Sequence, residues 1–210
     1  MRIFDAFHLS TGDFNEILAF LKAGGVIGFP TDTAYGLGAD PFHEAAVRRI
    51  FEIKGRPESK PVLVLVDSME LLCQIVVVSE PARMLARQFW PGPLTLVLPA
   101  LPTVPRFLTA GTGALGVRWP KSDFANRLVH AFERPITATS ANKSGHQTTT
   151  RASEVIEDIG TDLQMLIDGG LLPSAEGSTI LDMTGPSPRV LREGALPRGV
   201  LAKALDGNLQ

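Results

Sequence analysis

Val62-Leu63-Val64-Leu65-Val66 is apolar at every position, and its reading decides the fold class. A strand with one wet face alternates apolar and polar residues. An uninterrupted apolar run of strand length instead predicts a central strand covered on both faces, the interior of an α/β sheet. Upstream, Val47, Ile50 and Phe51 mark the inner face of a helix that starts after Asp40-Pro41, with Arg48 and Arg49 outward. Pro57 stops that helix and puts Arg56 in extended backbone. Further upstream, Ser10 and Asp13 read as a capping box for a helix with Phe14, Ile17, Leu18 and Leu21 on one face. Gly24-Gly25 ends it, and Val26 to Phe29 reads as a buried strand closed by Pro30.

Downstream the alternation continues. Helices are expected after Ser68 and Glu80, from Ser122-Asp123 to Phe132, and from Arg151 to Ile159. Strands are expected at Leu94–Leu98, Leu115–Val117, Ile136–Thr139, Met165–Ile167, Thr179–Met183 and Arg189–Leu191. This pattern predicts one α/β domain with a twisted, mixed sheet and helices on both faces. The domain is expected over residues 1–196, with 197–210 a short helix that fades into disorder.

Composition narrows the function. The chain has 210 residues, 44% hydrophobic and 20% charged, ordinary for a protein with a real core. Its net charge of −2 supplies no global field for nucleic acid, so a basic site has to be local. One cysteine excludes an internal disulfide, and Cys73, beside Leu71, Leu72 and Ile75, is expected to be a buried thiol. No apolar run reaches membrane-spanning length and the N-terminus lacks a signal-peptide core, so a cytoplasmic protein is expected.

Two short runs carry most of the chemistry. Lys54-Gly55-Arg56-Pro57, with Lys60, sets three cations at a helix exit where glycine and proline fix the backbone. Glu52 and Glu58 interleave with them, so a solvated surface competes evenly with a ligand site. Thr139-Ser140-Ala141-Asn142 puts a hydroxyl and a carboxamide two apart beyond a strand end, where α/β sheets bind ligands. Cations beside compact hydrogen-bonding side chains suit a polyphosphate. A third run, Pro30-Thr31-Asp32-Thr33-Ala34-Tyr35-Gly36-Leu37-Gly38, reads as a glycine-rich loop able to orient a small polar substrate, or as a tight loop plugged by Tyr35.

Other readings fall away. Neither G-x-x-x-x-G-K-[ST] nor G-x-G-x-x-G is present. Ser140 to Gly145 mimics S-x-x-K and K-S-G of penicillin-recognising enzymes, but there the elements come from separate segments. The four histidines lack metal spacing, and Asp32, Asp67 and Asp168 are read as caps with no acid/base partner. Arg118 and Arg192 each close an apolar strand, where a cation meets an anion, either a ligand or an internal carboxylate.

Taken in order, PTDTAYGLGAD, KGRP, PVLVLV, RQFWPGPLTLVLP, LGVRWP, PITATSANKSG, GSTILDM and VLREGAL resemble the YrdC/Sua5 family, the threonylcarbamoyl-AMP synthases of tRNA modification. The resemblance spans nearly the whole chain and suits the short form with one catalytic domain. It implies a mixed α/β sheet around a concave basic cleft. It further implies a nucleotidyltransferase that forms threonylcarbamoyl-adenylate and pyrophosphate from L-threonine, bicarbonate and ATP, with Mg2+ held mainly by the phosphates. A downstream transferase complex would move the group to tRNA position 37. Carried over, Thr33, Arg118 and Ser178 fall at the threonine site. Arg56, Lys60, Ser140, Thr148 and Arg192 fall at the ATP site, where Lys54 and Asn142 complete K-x-R and S-x-N. Lys54 and Arg56 are the implied catalytic cations. Many members carry histidine where this chain has Leu65. A paralogue adenylating another carbamate, the related domain of hydrogenase maturation proteins, and an RNA-binding module using Arg48 and Arg49 are the alternatives.

Overall fold

The structure is a computed structural model that describes residues 1–55, 62–173 and 176–210. Strand β1 (Arg2–Asp5) leads into helix α1 (Thr11–Lys22), whose Ser10 and Asp13 form the expected reciprocal cap. Strands β2 (Ile27–Pro30) and β3 (Tyr35–Gly38) follow as an antiparallel pair. Helix α2 (Glu44–Lys54) buries Val47, Ile50 and Phe51 and ends at Gly55, which takes the left-handed conformation at φ 55°. Strand β4 (Leu63–Leu65) is the core of the all-apolar run. Then come α3 (Met69–Cys73), α4 (Glu80–Phe89), β5 (Leu94–Pro99), β6 (Ala114–Arg118) and α5 (Asp123–Phe132). The chain continues through β7 (Ile136–Thr137), β8 (Thr139–Ser140), α6 (Ala152–Ile159), β9 (Met165–Asp168), β10 (Thr179–Asp182), β11 (Arg189–Arg192) and α7 (Arg198–Ala204).

The expected mixed α/β architecture is present, and its strands divide into two sheets. One has the order β1-β9-β2-β3-β8, the other β11-β10-β5-β6-β4-β7. Both mix parallel and antiparallel pairs. β4 is interior, parallel to β6 and antiparallel to β7. Its apolar residues are explained by burial: Val64 and Leu65 are both in the main core, and Leu63 and Leu65 also border a cleft.

The stretch from Ile136 to Thr139 is two strands, not one. Ile136 and Thr137 pair with β4, whereas Thr139 and Ser140 pair with β3 in the other sheet. The chain therefore changes sheets at Ala138, and the Ser-Ala-Asn turn hangs where the sheets part.

Other expectations are corrected. Tyr35–Gly38 is a strand and no loop: a Cβ on Gly38 would lie 2.8 Å from the Phe29 ring, so this glycine serves close packing. Cys73 is exposed, because α3 is a short helix that turns Leu71 and Leu72 inward and its last residue outward. The C-terminal residues do not fade away. Leu201 and Leu205 join the core, and Gln210 N–H donates to Pro188 O at 2.9 Å. Among the described residues no helix is long and apolar enough to cross a membrane.

Candidate active site

The β2–β3 connection is shaped by Thr31. Its Oγ1 donates to Ala34 O at 2.7 Å and accepts the N–H groups of Thr33 and Ala34, both at 3.2 Å. This hydroxyl turn presents Asp32 and Thr33 to Arg118, which arrives from the end of β6. Arg118 is 3% exposed and makes three contacts. Nε donates to Gly92 O at 3.0 Å, Nη1 donates to Thr33 Oγ1 at 2.8 Å, and Nη2 forms an ion pair with Asp32. Burial pushes the guanidinium below its ordinary pKa and Asp32 opposes that. Of its five N–H donors, two remain for a ligand. Arg118 thus has the internal carboxylate that the sequence allowed, and Asp32 is an ion-pair partner instead of a helix cap.

Ser178 and Arg192 form the adjoining wall. Ser178 is buried, with Oγ 2.7 Å from Thr95 Oγ1 on β5. Arg192, from β11, donates Nη2 to Ser178 O at 2.7 Å, and partial burial lowers its pKa. Gly177 sits at φ 71°, and a Cβ there would press to 3.1 Å from the Arg192 guanidinium. Glycine is needed at this point on both counts.

On the opposite side Lys54 is buried, 4% exposed, at the end of α2. Its ammonium donates to Ser140 O, and to Asn142 O at 2.7 Å, while Lys54 O accepts Ser144 N–H at 2.8 Å. The two runs that sequence singled out therefore touch. Lys54 is no solvated cation: it ties the Ser-Ala-Asn turn to the helix exit. Asn142 is 4% exposed and donates Nδ2 to His146 O at 2.7 Å, while its buried Oδ1 has no donor among the described residues. Tyr35, at the inner edge, accepts Ala141 N–H and donates its own N–H to Thr149 O, so one strand residue grips both arms of the loop.

These groups enclose a cavity of about 410 Å3 that reaches into both sheets, within the range of small-molecule sites. Thr33, Arg118, Ser178, Lys54, Ser140, Asn142, Thr148 and Arg192 all line it. Its described lining includes Lys54, Arg118, Lys143 and Arg192 and no Asp or Glu. A protein of net charge −2 has thus concentrated cations in one cleft. Arg56 and Lys60 lie outside the described residues. Arg48 and Arg49 do not line the cleft. They pair with Glu44 and Glu52 on the exposed side of α2, which removes the basis for an RNA cleft built on them.

Sequence reading missed three participants. Asp32 and Thr95 act through partners on distant strands, which no local pattern reveals. His146 lines the cleft with Nδ1 2.6 Å from Asp158 Oδ1 on α6, a pair twelve residues apart that no motif announced. Among the described residues no cluster of three or more His, Cys, Asp or Glu could hold a metal ion.

Comparison with known proteins gives the family. The Sua5/YciO/YrdC family model, described as telomere recombination, matches residues 19–194. A threonylcarbamoyl-AMP synthase of Pyrococcus abyssi is 44% identical, over 89% of this chain and 55% of the relative. One of Bacillus subtilis is 36% identical, over 90% and 56%. The chain spans little more than half the length of these relatives. The crystal structure of P. abyssi Sua5 complexed with L-threonine matches with a TM-score of 0.95 at 39% identity, covering 100% of this chain and 63% of that one. This chain belongs to the Sua5/YciO/YrdC family.

Proposed function

We propose that this chain is an L-threonylcarbamoyladenylate synthase, a nucleotidyltransferase acting on L-threonine, bicarbonate and MgATP. The observation that carries the reading is the cleft itself, where every ionised Lys, Arg, Asp or Glu among the described lining residues is cationic. All three substrates are anionic or carry a carboxylate. Relatives at 44% and 36% identity bear the synthase name, and P. abyssi Sua5 has been crystallised with L-threonine.

In this reading Arg118 receives the threonine carboxylate on its two remaining N–H groups, beside the hydroxyls of Thr33 and Ser178. Threonine's ammonium and bicarbonate give the carbamate, water and one proton. A carbamate oxygen then attacks the α-phosphorus of ATP, the bond from that phosphorus to the α,β-bridging oxygen breaks, and pyrophosphate leaves. The nucleophile is already anionic, so the protein supplies positioning and charge in place of covalent help. Lys54 fixes the Ser140–Asn142 turn, whose side chains, with Thr148 and Arg192, meet the nucleotide. Arg56 and Lys60 add cations on the reading drawn from the family resemblance. Mg2+ arrives with ATP, held mainly by its phosphates. The product passes to a transferase that modifies tRNA, and the enzyme is read as cytoplasmic.

The test is pyrophosphate release from MgATP with L-threonine and bicarbonate omitted in turn. Release that requires both is expected. Release without bicarbonate, or with another amino acid in preference, overturns the substrate assignment.

A further inference from the structure

His146 has no part in the reaction as derived above, yet it lines the cleft, with its side chain exposed at the rim. One contact holds the ring and two hold its backbone. Nδ1 lies 2.6 Å from Asp158 Oδ1, its carbonyl accepts Asn142 Nδ2–H at 2.7 Å, and its own N–H donates to Lys143 O at 3.1 Å. Asp158 is in turn held by Lys143 N–H on Oδ2 at 2.7 Å. Burial would raise the Asp158 pKa, but the bonds from Lys143 and His146 outweigh it, and the carboxyl stays below its ordinary value. Nε2 is the ring's other nitrogen, without a partner among the described residues.

Resting on the synthase reading, we propose that His146, oriented through Nδ1 by Asp158, contacts the ATP phosphates and makes nucleotide binding depend on pH. Its place in the loop supports the nucleotide end of the cleft over the amino-acid end. It is clasped to Asn142 of the S-x-N turn, whereas Arg118 and Thr33 hold the far end. Among the described residues, the charged groups that face it or share its cleft are Asp158 on α6, Lys143 of its own loop, Lys54 on α2, Arg118 on β6 and Arg192 on β11. Glu154, also on α6, is engaged by the N–H groups of Thr150 and Arg151. Asp158 is the carboxylate that contacts the ring, and the other four are cations, of which Arg118 is assigned to the threonine carboxylate. Imidazoles change charge between about pH 5 and 8, whereas those cations do not.

Calorimetric MgATP binding, measured near pH 6 and pH 8.5 on the full chain, decides it. The wild type is expected to bind about fivefold tighter at the lower pH, the size of an exposed ion pair. His146→Gln keeps a hydrogen-bond donor without the charge and should bind equally at both. Asp158→Asn should lose part of the low-pH gain, and L-threonine affinity should be unchanged in both variants. A His146→Gln profile parallel to wild type overturns the assignment, as does an equal loss of threonine affinity. If that variant binds no ATP at all, an Asp158→Asn profile identical to wild type overturns it instead. Pyrophosphate release is followed in parallel. ATP binding without release defeats the synthase reading alone, since the binding profiles still decide His146. Absence of ATP binding by the wild type defeats both.

Discussion

At the Arg118 end of the cleft, polar groups from distant strands close on one another inside the protein. Asp32, Thr33 and Gly92 all engage a guanidinium that is 3% exposed, and Ser178 is locked to Thr95. At the Asn142 end, one buried ammonium and one strand residue hold a turn whose outer residues, from Lys143 to Gln147, are exposed. The first end is set before a ligand arrives and suits a small group of fixed shape, such as an α-carboxylate. The second leaves side chains at a rim, which suits a longer, charged ligand entering from solvent. Perturbing the first end should therefore be read in stability, and perturbing the second in turnover.

The largest effect is expected from Asp32→Ala. Removing one partner of a buried pair leaves an uncompensated charge and costs about 3–5 kcal/mol. Urea denaturation measures it. The double variant Asp32→Ala with Arg118→Met should be more stable than Asp32→Ala alone, because the buried charge goes with its partner. A single variant as stable as wild type would mean that this end is wetter than its burial indicates.

Lys54→Met comes next and should invert the pattern. It leaves the carbonyls of Ser140 and Asn142 without their ammonium, a loss of about 1–3 kcal/mol in stability. The larger consequence falls on catalysis. A turn displaced by about 1 Å misplaces the nucleotide-side groups and lowers kcat/KM by about 10²-fold. Equal losses in both measurements would erase the contrast between the two ends.

That contrast also sorts what was legible in the sequence. Helix α5 and its Ser122 cap were readable because capping and a 3.6-residue period are local. The all-apolar run announced an interior strand for the same reason. The division into two sheets was not readable, because the switch occupies the single residue Ala138, and both flanking pairs fit one short strand. At the site, Lys54, Ser140, Asn142 and Arg118 stood out through their setting, a cation or a hydroxyl at the end of an apolar element. Asp32 and Thr95 did not, since their meaning comes from partners 86 and 83 residues away. Tyr35–Gly38 misled because glycine in sequence signals a loop, while here Gly38 clears space for Phe29.

Tyr35 joins the two ends and gives the smallest prediction. Its backbone holds both arms of the nucleotide-side loop, while its side chain lies in the core. The hydroxyl donates to Gly170 O at 2.8 Å, lies 3.2 Å from Asp168 Oδ1 and accepts Gly169 N–H at 2.9 Å. Burial, with the nearby Asp168 carboxylate, pushes the phenol up to about 12. It is the chain's single tyrosine, so tyrosinate absorbance reports it alone. The folded protein should titrate near 12 and the urea-unfolded chain near the ordinary tyrosine value of about 10. Because the folded state holds this proton more tightly, the hydroxyl's contribution is fully present below pH 10 and is lost as pH rises through 12. Tyr35→Phe should cost about 1 kcal/mol at neutral pH and remove that alkaline loss. ATP and threonine affinities should stay as in wild type, because the backbone bonds to Ala141 and Thr149 survive the substitution. A change in ATP affinity alone would show that the loop depends on the hydroxyl network beneath it, and that the rim is set as firmly as the Arg118 end.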